Sequence, residues 1–288
     1  MILMSVSKSF SIKELERFSG IKAHTLRAWE KRYGLFDPER MGNNVRAYTL
    51  EHVMQLLSLS LLVEYGHQIS KISGMEAGEL GVRVAALKSD EARQKNIIAR
   101  LIVTMFTSET EEFEAALDSA IVLWGTGPTV HRVIMPFLEK VHILSYTDTS
   151  TEAHFVVTAI RKKLILAIEK AKTPPPDSQS ALLFLPEGEH YDLLLLYLSY
   201  VLKSKGLKVL YLGTNISVDN LLRAVLTKAP DYVYSYMADK SSFPVAQYAA
   251  ILGEHLPLSG LHVAYADEAH IDNAKRPANV KYLQYAEI

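Results

Sequence analysis

The stretch that decides the fold of the first part of the chain is His24-Thr25-Leu26-Arg27-Ala28-Trp29-Glu30-Lys31-Arg32-Tyr33-Gly34-Leu35. It predicts a helix from about Ala23 to Tyr33 that ends at Gly34, because glycine just past a helix adopts the left-handed conformation without steric cost. We expect Leu26 and Ala28 to face inward. The polar residues expected to face solvent are His24, Thr25, Arg27 and Arg32.

A second short helix precedes this one. Ser11-Ile12-Lys13-Glu14 has the spacing of a capping box and predicts a helix through Phe18, with Gly20 in the turn that follows. Two short helices joined by such a turn form a helix-turn-helix, whose second helix can enter a DNA major groove. An isolated pair of short helices is equally compatible with simple packing.

The segment after these helices predicts a hairpin. Asn43-Asn44 lies between short flanks, the second of which ends in Val45-Arg46-Ala47-Tyr48, as in the wing of a winged helix-turn-helix. Thr49 is expected to cap a third helix. The apolar face of that helix consists of Val53, Leu56, Leu57, Ser60 and Leu61.

The string from His24 to Leu35, followed by Pro38, Arg40, Arg46 and Tyr48, resembles the MerR family of regulators over roughly residues 10–72, closest to the branch with "TLRAWERRYG". The resemblance implies that the second helix reads the major groove and the wing grips the DNA backbone. The residues it implies as DNA contacts are Thr25, Arg27, Trp29, Arg32, Arg46 and Tyr48, with Lys13 and Arg40 as phosphate contacts and the outward-facing His24 added to the set.

The chemistry of this set suits DNA, because Arg, Lys, Thr and Tyr donate to phosphates and Arg also binds guanine edges. Two alternatives stay open for individual residues. Trp29 could belong to the core beside the wing, and Arg32 could pair with Glu30 or Asp37. Lys22 stands where the family often has a serine cap.

Charge supports DNA binding only through its position. The whole chain has a net charge of −1, whereas residues 1–75 hold ten Lys and Arg against seven Asp and Glu, a balance of +3. Five of those basic residues lie between Arg27 and Arg46.

Composition bounds the remaining possibilities. A chain of 288 residues with 49% hydrophobic and 22% charged residues predicts two or three globular domains. The absence of Cys excludes disulfides, thiol catalysis and cysteine-bound metal. The apolar runs are far shorter than a membrane span, and the first ten residues lack signal-peptide features, so we expect a cytoplasmic location. The ten His lack metal-ligand spacing, which predicts no metal site.

Two breaks divide the chain into predicted domains of residues 1–75, 76–173 and 174–288. The first break is at Ser73-Gly74-Met75, and the second is Thr173-Pro174-Pro175-Pro176-Asp177, which cannot continue a helix. The middle domain is helical in pattern and predicts a four-helix bundle. Its expected helix starts are Ser108-Glu109-Thr110-Glu111, Thr126-Gly127-Pro128 and Thr149-Ser150-Thr151-Glu152.

After Pro176 short apolar runs alternate with helical stretches. The runs are 181–186, 207–212, 231–236, 261–266 and 280–284. This alternation predicts a five-stranded parallel α/β domain that is flavodoxin-like, in the broad sense Rossmann-like. Gly213-Thr214-Asn215 is expected at a strand end, where α/β sheets bind ligands, or else as a plain strand-to-helix turn.

The segment Pro186-Glu187-Gly188-Glu189 and the later Gly206-x-x-Val209-x-x-Leu212-Gly213, placed after a bundle and a proline linker, resemble the cobalamin-binding light-sensing regulators of the CarH type. Corrinoid proteins of that group carry Asp/Glu-x-His-x-x-Gly after the first strand. The resemblance implies a His that ligates cobalt from below, a carboxylate that orients it, and a Gly that admits the nucleotide tail.

The key positions of this motif are changed. With Glu189 in the acidic position, Tyr191 replaces the ligand His and Leu194 replaces the Gly, while His190 lies one residue early. Related photoreceptors also cover the upper corrin face with a Trp and a Glu-His pair. Glu152-Ala153-His154 keeps that His but has Ala153 for the carboxylate, and Ser145-Tyr146 occupies the Trp region. We therefore expect no cofactor, with cobalamin as the alternative.

The sequence thus predicts a bacterial transcriptional regulator, a repressor, that recognises a two-fold operator in double-stranded DNA as a homodimer or larger oligomer. No catalytic constellation is visible, so we expect no enzyme activity. Three rivals remain: a working cobalamin photosensor that uses His190 or His154, a corrinoid methyltransferase partner, and a scaffold whose operator binding is controlled by another protein.

Overall fold

The computed structural model describes residues 8–41, 45–142, 150–237, 248, 261–265 and 280–284. The chain forms two compact units, Met1–Ala159 and Ile160–Ile288. The first unit contains most of the predicted domains 1–75 and 76–173, whose bounds stay predictions.

The first unit begins with the helix-turn-helix region. Its elements are α1 (Ile12–Ser19), α2 (Ala23–Tyr33), β1 (Glu39–Met41), β2 (Val45–Ala47) and α3 (Leu50–Glu64). The capping box of Ser11 and Glu14 is formed, and Gly20 ends α1 at a φ of 77°. Thr49 caps α3 together with His52. These helix starts and stops confirm the ones that the sequence predicts, whereas Asn43-Asn44 lies outside the described residues.

The inward face of α2 differs from the prediction. Leu26 is buried as expected, but Ala28 is exposed and Trp29 is buried in its place. The physical reason is the helical period, since residues three apart lie on one face and residues two apart do not. The prediction for Ala28 is therefore wrong.

Seven helical segments follow α3, and the last of them continues from the first unit into the second. They are α4 (Ile69–Ile72), α5 (Ala77–Ala85), α6 (Asp90–Thr107), α7 (Thr110–Trp124), α8 (Thr126–Thr129), α9 (Met135–Val141) and α10 (Thr151–Lys170). A π-helical turn, Val130–Ile134, joins α8 to α9. Helix α10 ends before the three prolines, as predicted.

Two predicted helix starts are shifted. Ser108 does not cap α7: it ends α6 in the left-handed conformation, with a φ of 58°. The cap of α10 is Ser150, whose Oγ accepts from the Ala153 amide at 3.1 Å. In both cases the sequence offered adjacent Ser, Thr or Glu residues as caps, and packing selected one of them.

The helix-turn-helix region packs directly on the helices that follow it. Phe106 of α6 lies edge-on to Phe10, with ring centroids 4.8 Å apart, and its centroid is 5.7 Å from that of Phe18 in α1. Lys140 of α9 donates to the Phe18 carbonyl. The position of α1 is therefore tied to α6 and α9.

The second unit contains a five-stranded parallel sheet. Its strands are β3 (Ser180–Pro186), β4 (Lys208–Ile216), β5 (Tyr232–Met237), β6 (Leu261–Tyr265) and β7 (Val280–Gln284), in the spatial order β4-β3-β5-β6-β7. Each neighbouring pair is parallel. Counted within the unit this order is 2-1-3-4-5, the flavodoxin-like order. The predicted sheet is confirmed.

The two sheet faces carry different helices. Helix α11 (Leu193–Ser204) packs on β3 and β4. Helix α12 (Val218–Lys228) contributes to the core of the other face. That core includes Leu182, Phe184, Leu221, Val225, Val233, Tyr248, Leu261 and Val263. Buried, nearly continuous apolar strands are typical of a parallel sheet covered on both sides.

Candidate nucleic-acid interface

The solvent face of α2 is basic. The exposed residues of this helix are His24, Arg27, Ala28, Lys31 and Arg32, with Thr25 half-buried among them. No acidic residue of α2 shares this face, because the one carboxylate of the helix, Glu30, is turned toward the β-ribbon. A helix face with only cationic and hydroxyl-bearing polar groups is suited to a phosphate-lined groove.

Glu30 is held by two partners from the ribbon side. Arg46 Nε donates to Glu30 Oε2 at 3.0 Å, and the Tyr48 hydroxyl donates to Oε1. Only 10% of the Glu30 side chain is exposed. Burial, and then the hydrogen bond to Glu30, raise the pKa of Tyr48, so the phenol stays protonated and remains a donor. This triad fixes α2 against β2.

Two residues expected at the DNA are buried. Trp29 is 8% exposed, which agrees with the alternative that places it in the core. Tyr48 is 0% exposed, and its backbone pairs with Phe10 through two hydrogen bonds of 2.8 and 2.9 Å. The Tyr48 side chain is thus turned inward onto Glu30, and the DNA contact expected for it stays a prediction.

The β-ribbon carries two arginines that face each other across the strands. Arg40 of β1 and Arg46 of β2 are directly opposite each other in the antiparallel register. Opposite residues in such a ladder project from the same face, and like charges there are unfavourable without a counterion. Glu30 supplies a carboxylate to Arg46. A nucleic-acid phosphate would be a further counterion for the two guanidinium groups.

The remaining predicted contacts are on the surface. Lys13 is exposed on α1. Arg32 stacks on its neighbour Tyr33, with the guanidinium carbon 5.5 Å from the ring centroid. Within the described part of the chain Arg32 forms no ion pair with Glu30 or Asp37.

Sequence reasoning missed Lys31, which lies four residues after Arg27 on the exposed face of α2. The helical spacing of four residues could have found it.

The segment that resembles the cofactor motif follows the end of β3. Glu189 is half-buried, and its carbonyl accepts from the Asn215 amide at 3.0 Å. Asn215 Oδ1 accepts from the Gly188 amide at 2.9 Å. Gly213-Thr214-Asn215 is part of β4 and not a turn after it, so the prediction of a turn is wrong. The backbone and the side chain of Asn215 thus both form hydrogen bonds with the segment that follows β3.

Tyr191, at the ligand position of the motif, and His190, one residue before it, differ in exposure. Tyr191 is half-buried and His190 is exposed. Leu194, in the first turn of α11, is 7% exposed and is one of eight buried residues in that helix. The apolar sequence of α11 thus fills the space over β3 and β4 with side chains, as close packing requires.

An ion-pair network anchors the start of α11. Arg161 Nε and Nη2 donate to Asp192 Oδ1 at 3.0 and 2.7 Å, and the Tyr211 hydroxyl donates to Asp192 Oδ2 at 3.3 Å. Asp192 is the residue before the helix. A carboxylate at this position also stabilises the helix N-terminus.

The residues of the expected upper-face cap belong to the first unit. Glu152 forms an ion pair with Lys8 at 2.6 Å, His154 is exposed, and Ala153 is buried. Ser145-Tyr146 lies outside the described residues. Among the described residues no three His, Asp or Glu side chains converge as metal ligands. No helix in the described ranges is long and apolar enough to cross a membrane.

Comparison with known proteins identifies similar sequences for the N-terminal region and for most of the chain. The model of the MerR HTH family regulatory protein matches residues 10–79. The chain is 30% identical over 227 residues to the HTH-type transcriptional repressor CarA of Myxococcus xanthus, which covers 77% of this chain and 74% of the relative. It is 28% identical over 263 residues to the HTH-type transcriptional repressor CarH of the same organism, over 87% of this chain and 86% of the relative.

A solved structure shares the fold of much of the chain. The monomethylamine corrinoid protein of Methanosarcina barkeri superimposes with a TM-score of 0.54 and 12% identity, over 67% of this chain and 95% of that one. At this identity the similarity concerns the fold alone.

Proposed function

The chain belongs to the MerR regulators of the CarA and CarH type, and we propose that it represses transcription by binding a two-fold operator through α2 and the β1–β2 ribbon. The observation that carries this proposal is the exposed face of α2. Its charged residues are all basic, and Glu30 is withdrawn from it by Arg46 and Tyr48.

The proposed contacts divide by chemistry. Arg27 and Thr25, in the first half of α2, are placed to reach base edges, since the N-terminal residues of a recognition helix contact bases. Arg40 and Arg46 are assigned to phosphates on the ribbon side. Lys13 and Arg32 are assigned to phosphates at the edges of the interface. Phosphate contacts set affinity and register, and base contacts set the operator sequence.

Repression at a two-fold operator requires at least two copies of the chain, because operator symmetry mirrors protein symmetry. We assign self-association to the residues that follow α3, in the predicted domains 76–173 and 174–288. The α/β domain, whose fold is cobalamin-binding-like, is then a module for oligomerisation and signal response, C-terminal in sequence to the DNA-binding helices.

We further propose that this module has lost cobalamin. The residues at the motif do not fit the cofactor: Tyr191 replaces the cobalt ligand, and Leu194 is buried where the tail would need an open groove. The exposed His190 is one position early. At the cap, Glu152 is paired with Lys8 and Ala153 is buried. No step of the function is assigned to the cofactor.

The DNA-binding proposal is tested by selecting genomic fragments with the full chain and measuring the affinity of the best fragment by fluorescence anisotropy. Arg27→Ala should weaken binding about tenfold and relax the preference at one base position, since a bidentate base contact is worth ~1–3 kcal/mol. Arg83→Ala, on the exposed face of α5, is the matched control and should leave the affinity unchanged. Equal affinity of Arg27→Ala and the unaltered chain would refute the assignment of α2.

The cofactor proposal is tested by the absorbance spectrum after incubation with adenosylcobalamin or methylcobalamin and gel filtration, in darkness and in light. The expected result is a colourless protein. Stoichiometric retention, or a light-dependent change in oligomer size, would instead support the alternative function, a cobalamin-dependent light-sensing regulator.

A further inference from the structure

A cavity of about 110 Å³ separates the helix-turn-helix from the helices behind it. Its walls come from the end of α1 and from α3, α6 and α9. The apolar part includes Phe18, Leu61, Ile98 and Ile102. Sites for drug-sized ligands are typically about 300–1,000 Å³, so an occupant of this cavity must be small.

The polar end of the cavity is formed by two lysines and a glutamate. Lys95 of α6 is paired with Glu64 of α3 and, at 2.7 Å, with Glu91. Lys140 of α9 forms no ion pair with a carboxylate among the described residues. Its Nζ donates instead to the carbonyls of Arg17 and Phe18, at 3.2 and 2.9 Å.

Lys140 is under-compensated at this position. Burial, followed by the charge of Lys95, lowers the pKa of Lys140, and the carboxylate of Glu64 opposes this shift without contacting the ammonium. Two of the three ammonium protons are used by carbonyls. The neighbouring Arg17 Nε is buried without a hydrogen-bond partner in the described part of the chain. Lys140 is half-buried and has no carboxylate in direct contact among the described residues, so an incoming anion at its third proton would add to the partial compensation that Glu64 gives.

We propose that this cavity is an effector site for a small aliphatic monocarboxylate, whose carboxylate binds Lys140 and whose chain packs on the apolar walls, and that its occupation weakens DNA binding. The cavity holds on the order of four water-sized groups, at ~30 Å³ each, which suits the alkyl chain of an acid of two to four carbons whose carboxylate lies at the polar end. Phe18, Ile98 and Ile102 supply the contact surface for the alkyl chain.

The link to DNA runs through α1. The Arg17 and Phe18 carbonyls belong to its last turn, which lacks further intrahelical donors. A carboxylate on Lys140 competes with these carbonyls for the ammonium and so loosens α1 from α9. Helix α1 packs on α2 and α3, so the position of the recognition helix responds. This regulatory half rests on the proposed DNA-binding function.

Binding is measured first, without DNA, by isothermal titration calorimetry of the full chain with butyrate, using butanol and butylammonium as matched probes. Butyrate should bind at least about tenfold more tightly than either. Lys140→Met and Ala99→Leu, which fills the cavity, should each weaken butyrate binding by about tenfold or more. The matched controls are Lys88→Met and Ala115→Leu, exposed elsewhere, and should bind butyrate as the unaltered chain does.

The two halves of the proposal have separate outcomes. Equal binding of butyrate and butylammonium, or no heat with any probe, overturns the site. If Lys140→Met does not fold, Ala99→Leu carries the test, because it leaves Lys140 in place.

Regulation is measured next, by anisotropy with the selected DNA fragment. Saturating butyrate should raise the Kd for DNA by about fivefold or more, within the usual range of allosteric coupling, and should not do so in Ala99→Leu. An unchanged Kd overturns the regulatory half. A chain that binds no duplex refutes the proposed function, whereas butyrate binding that Lys140→Met abolishes still supports the site.

Discussion

Glu30 of α2 and Arg46 of β2 form an ion pair of 3.0 Å in which the arginine keeps about a third of its side chain exposed and the glutamate only a tenth. The arginine can therefore meet an outside anion while the glutamate stays inside. A DNA phosphate at Arg46 would share the guanidinium with Glu30 and need not displace it, because a guanidinium has five donors.

Arg46→Ala is expected to weaken binding to all duplexes by about three- to tenfold and to reduce the slope of log K against log salt by about one, as the loss of one phosphate contact predicts. Titrations of the selected fragment and of an unrelated duplex at four salt concentrations measure both quantities. Arg83→Ala is the control. An unchanged affinity and slope would remove Arg46 from the interface.

Glu30→Gln should act in the opposite direction. The amide oxygen can still accept from Tyr48, but the negative charge that competes for Arg46 is gone. We expect DNA affinity to rise about two- to threefold at low salt, with a steeper salt dependence. A weaker affinity in a variant with an unchanged melting temperature would show that Glu30 positions Arg46 more than it competes for it.

Restoring the cofactor motif should need two changes. Tyr191→His alone leaves Leu194 buried in the first turn of α11, so we expect no retained cobalamin. Tyr191→His with Leu194→Gly removes both obstacles and should retain a measurable fraction after gel filtration, read from the absorbance spectrum. Equal retention by the single and double variants would show that Leu194 is not the obstruction.

Asp192 should matter for the stability of the second unit. Asp192→Ala removes the acceptor of Arg161 and Tyr211 and is expected to lower the free energy of unfolding by about 1–3 kcal/mol. Urea denaturation followed by circular dichroism measures this loss. Asp177→Ala, an exposed carboxylate in the linker, is the matched control and should have no measurable effect.

The pH dependence of the first unit should involve His52. Burial lowers the pKa of this side chain, and its Nδ1 accepts from the Thr49 amide in the cap of α3. Because the unfolded state then binds the proton more readily, His52 contributes stability that is full above about pH 6.5 and is lost as the pH falls below that value. Glu51, Asp37 and Glu30 moderate the shift.

The test compares urea midpoints at pH 7.5 and 5.5. His52→Gln, which can still accept from the cap amide, should show a smaller difference between the two pH values than the unaltered chain. His154→Gln, at an exposed histidine of the same unit, is the control and should show the difference of the unaltered chain. An unchanged difference in His52→Gln would assign the acid sensitivity elsewhere.

Self-association should be visible without DNA or cofactor. We expect a dimer or larger species at micromolar concentration in the dark, because the two half-sites of a two-fold operator are bound by two copies of the helix-turn-helix. Light scattering measures the mass. A species that stays at the 32.2 kDa of one chain, with and without operator DNA, would contradict the proposed two-fold complex.

Local signals in the sequence were sufficient for the elements of the interface. Ser11, Gly20, Gly34 and Thr49 act through contacts within four residues, so their caps and turns could be predicted directly. The five strands could be predicted as well, because the short apolar runs that indicate them are also local in the sequence. The partner of Glu30 could not be predicted, because Arg46 and Tyr48 approach it only through the packing of β2 on α2.

The candidate effector cavity could not be predicted from the sequence either. Lys95 and Lys140 are on different helices, and nothing in their spacing indicates that both reach the end of α1. Tyr48 illustrates the converse. The family resemblance implied a DNA contact for this residue, whereas its complete burial depends on tertiary packing that the sequence does not display.

The π-helical turn at Val130–Ile134 has a consequence for how such a regulator can change. Its wide hydrogen bond, from the Met135 amide to the Val130 carbonyl, accommodates one residue more than an α-helical turn would. Deleting that residue would rotate α9 by about 100°, the angle between successive helical residues, and carry the Lys140 ammonium away from the end of α1. We therefore expect a chain that lacks one residue at this turn to lose the proposed response to carboxylates, although every side chain of α9 stays the same.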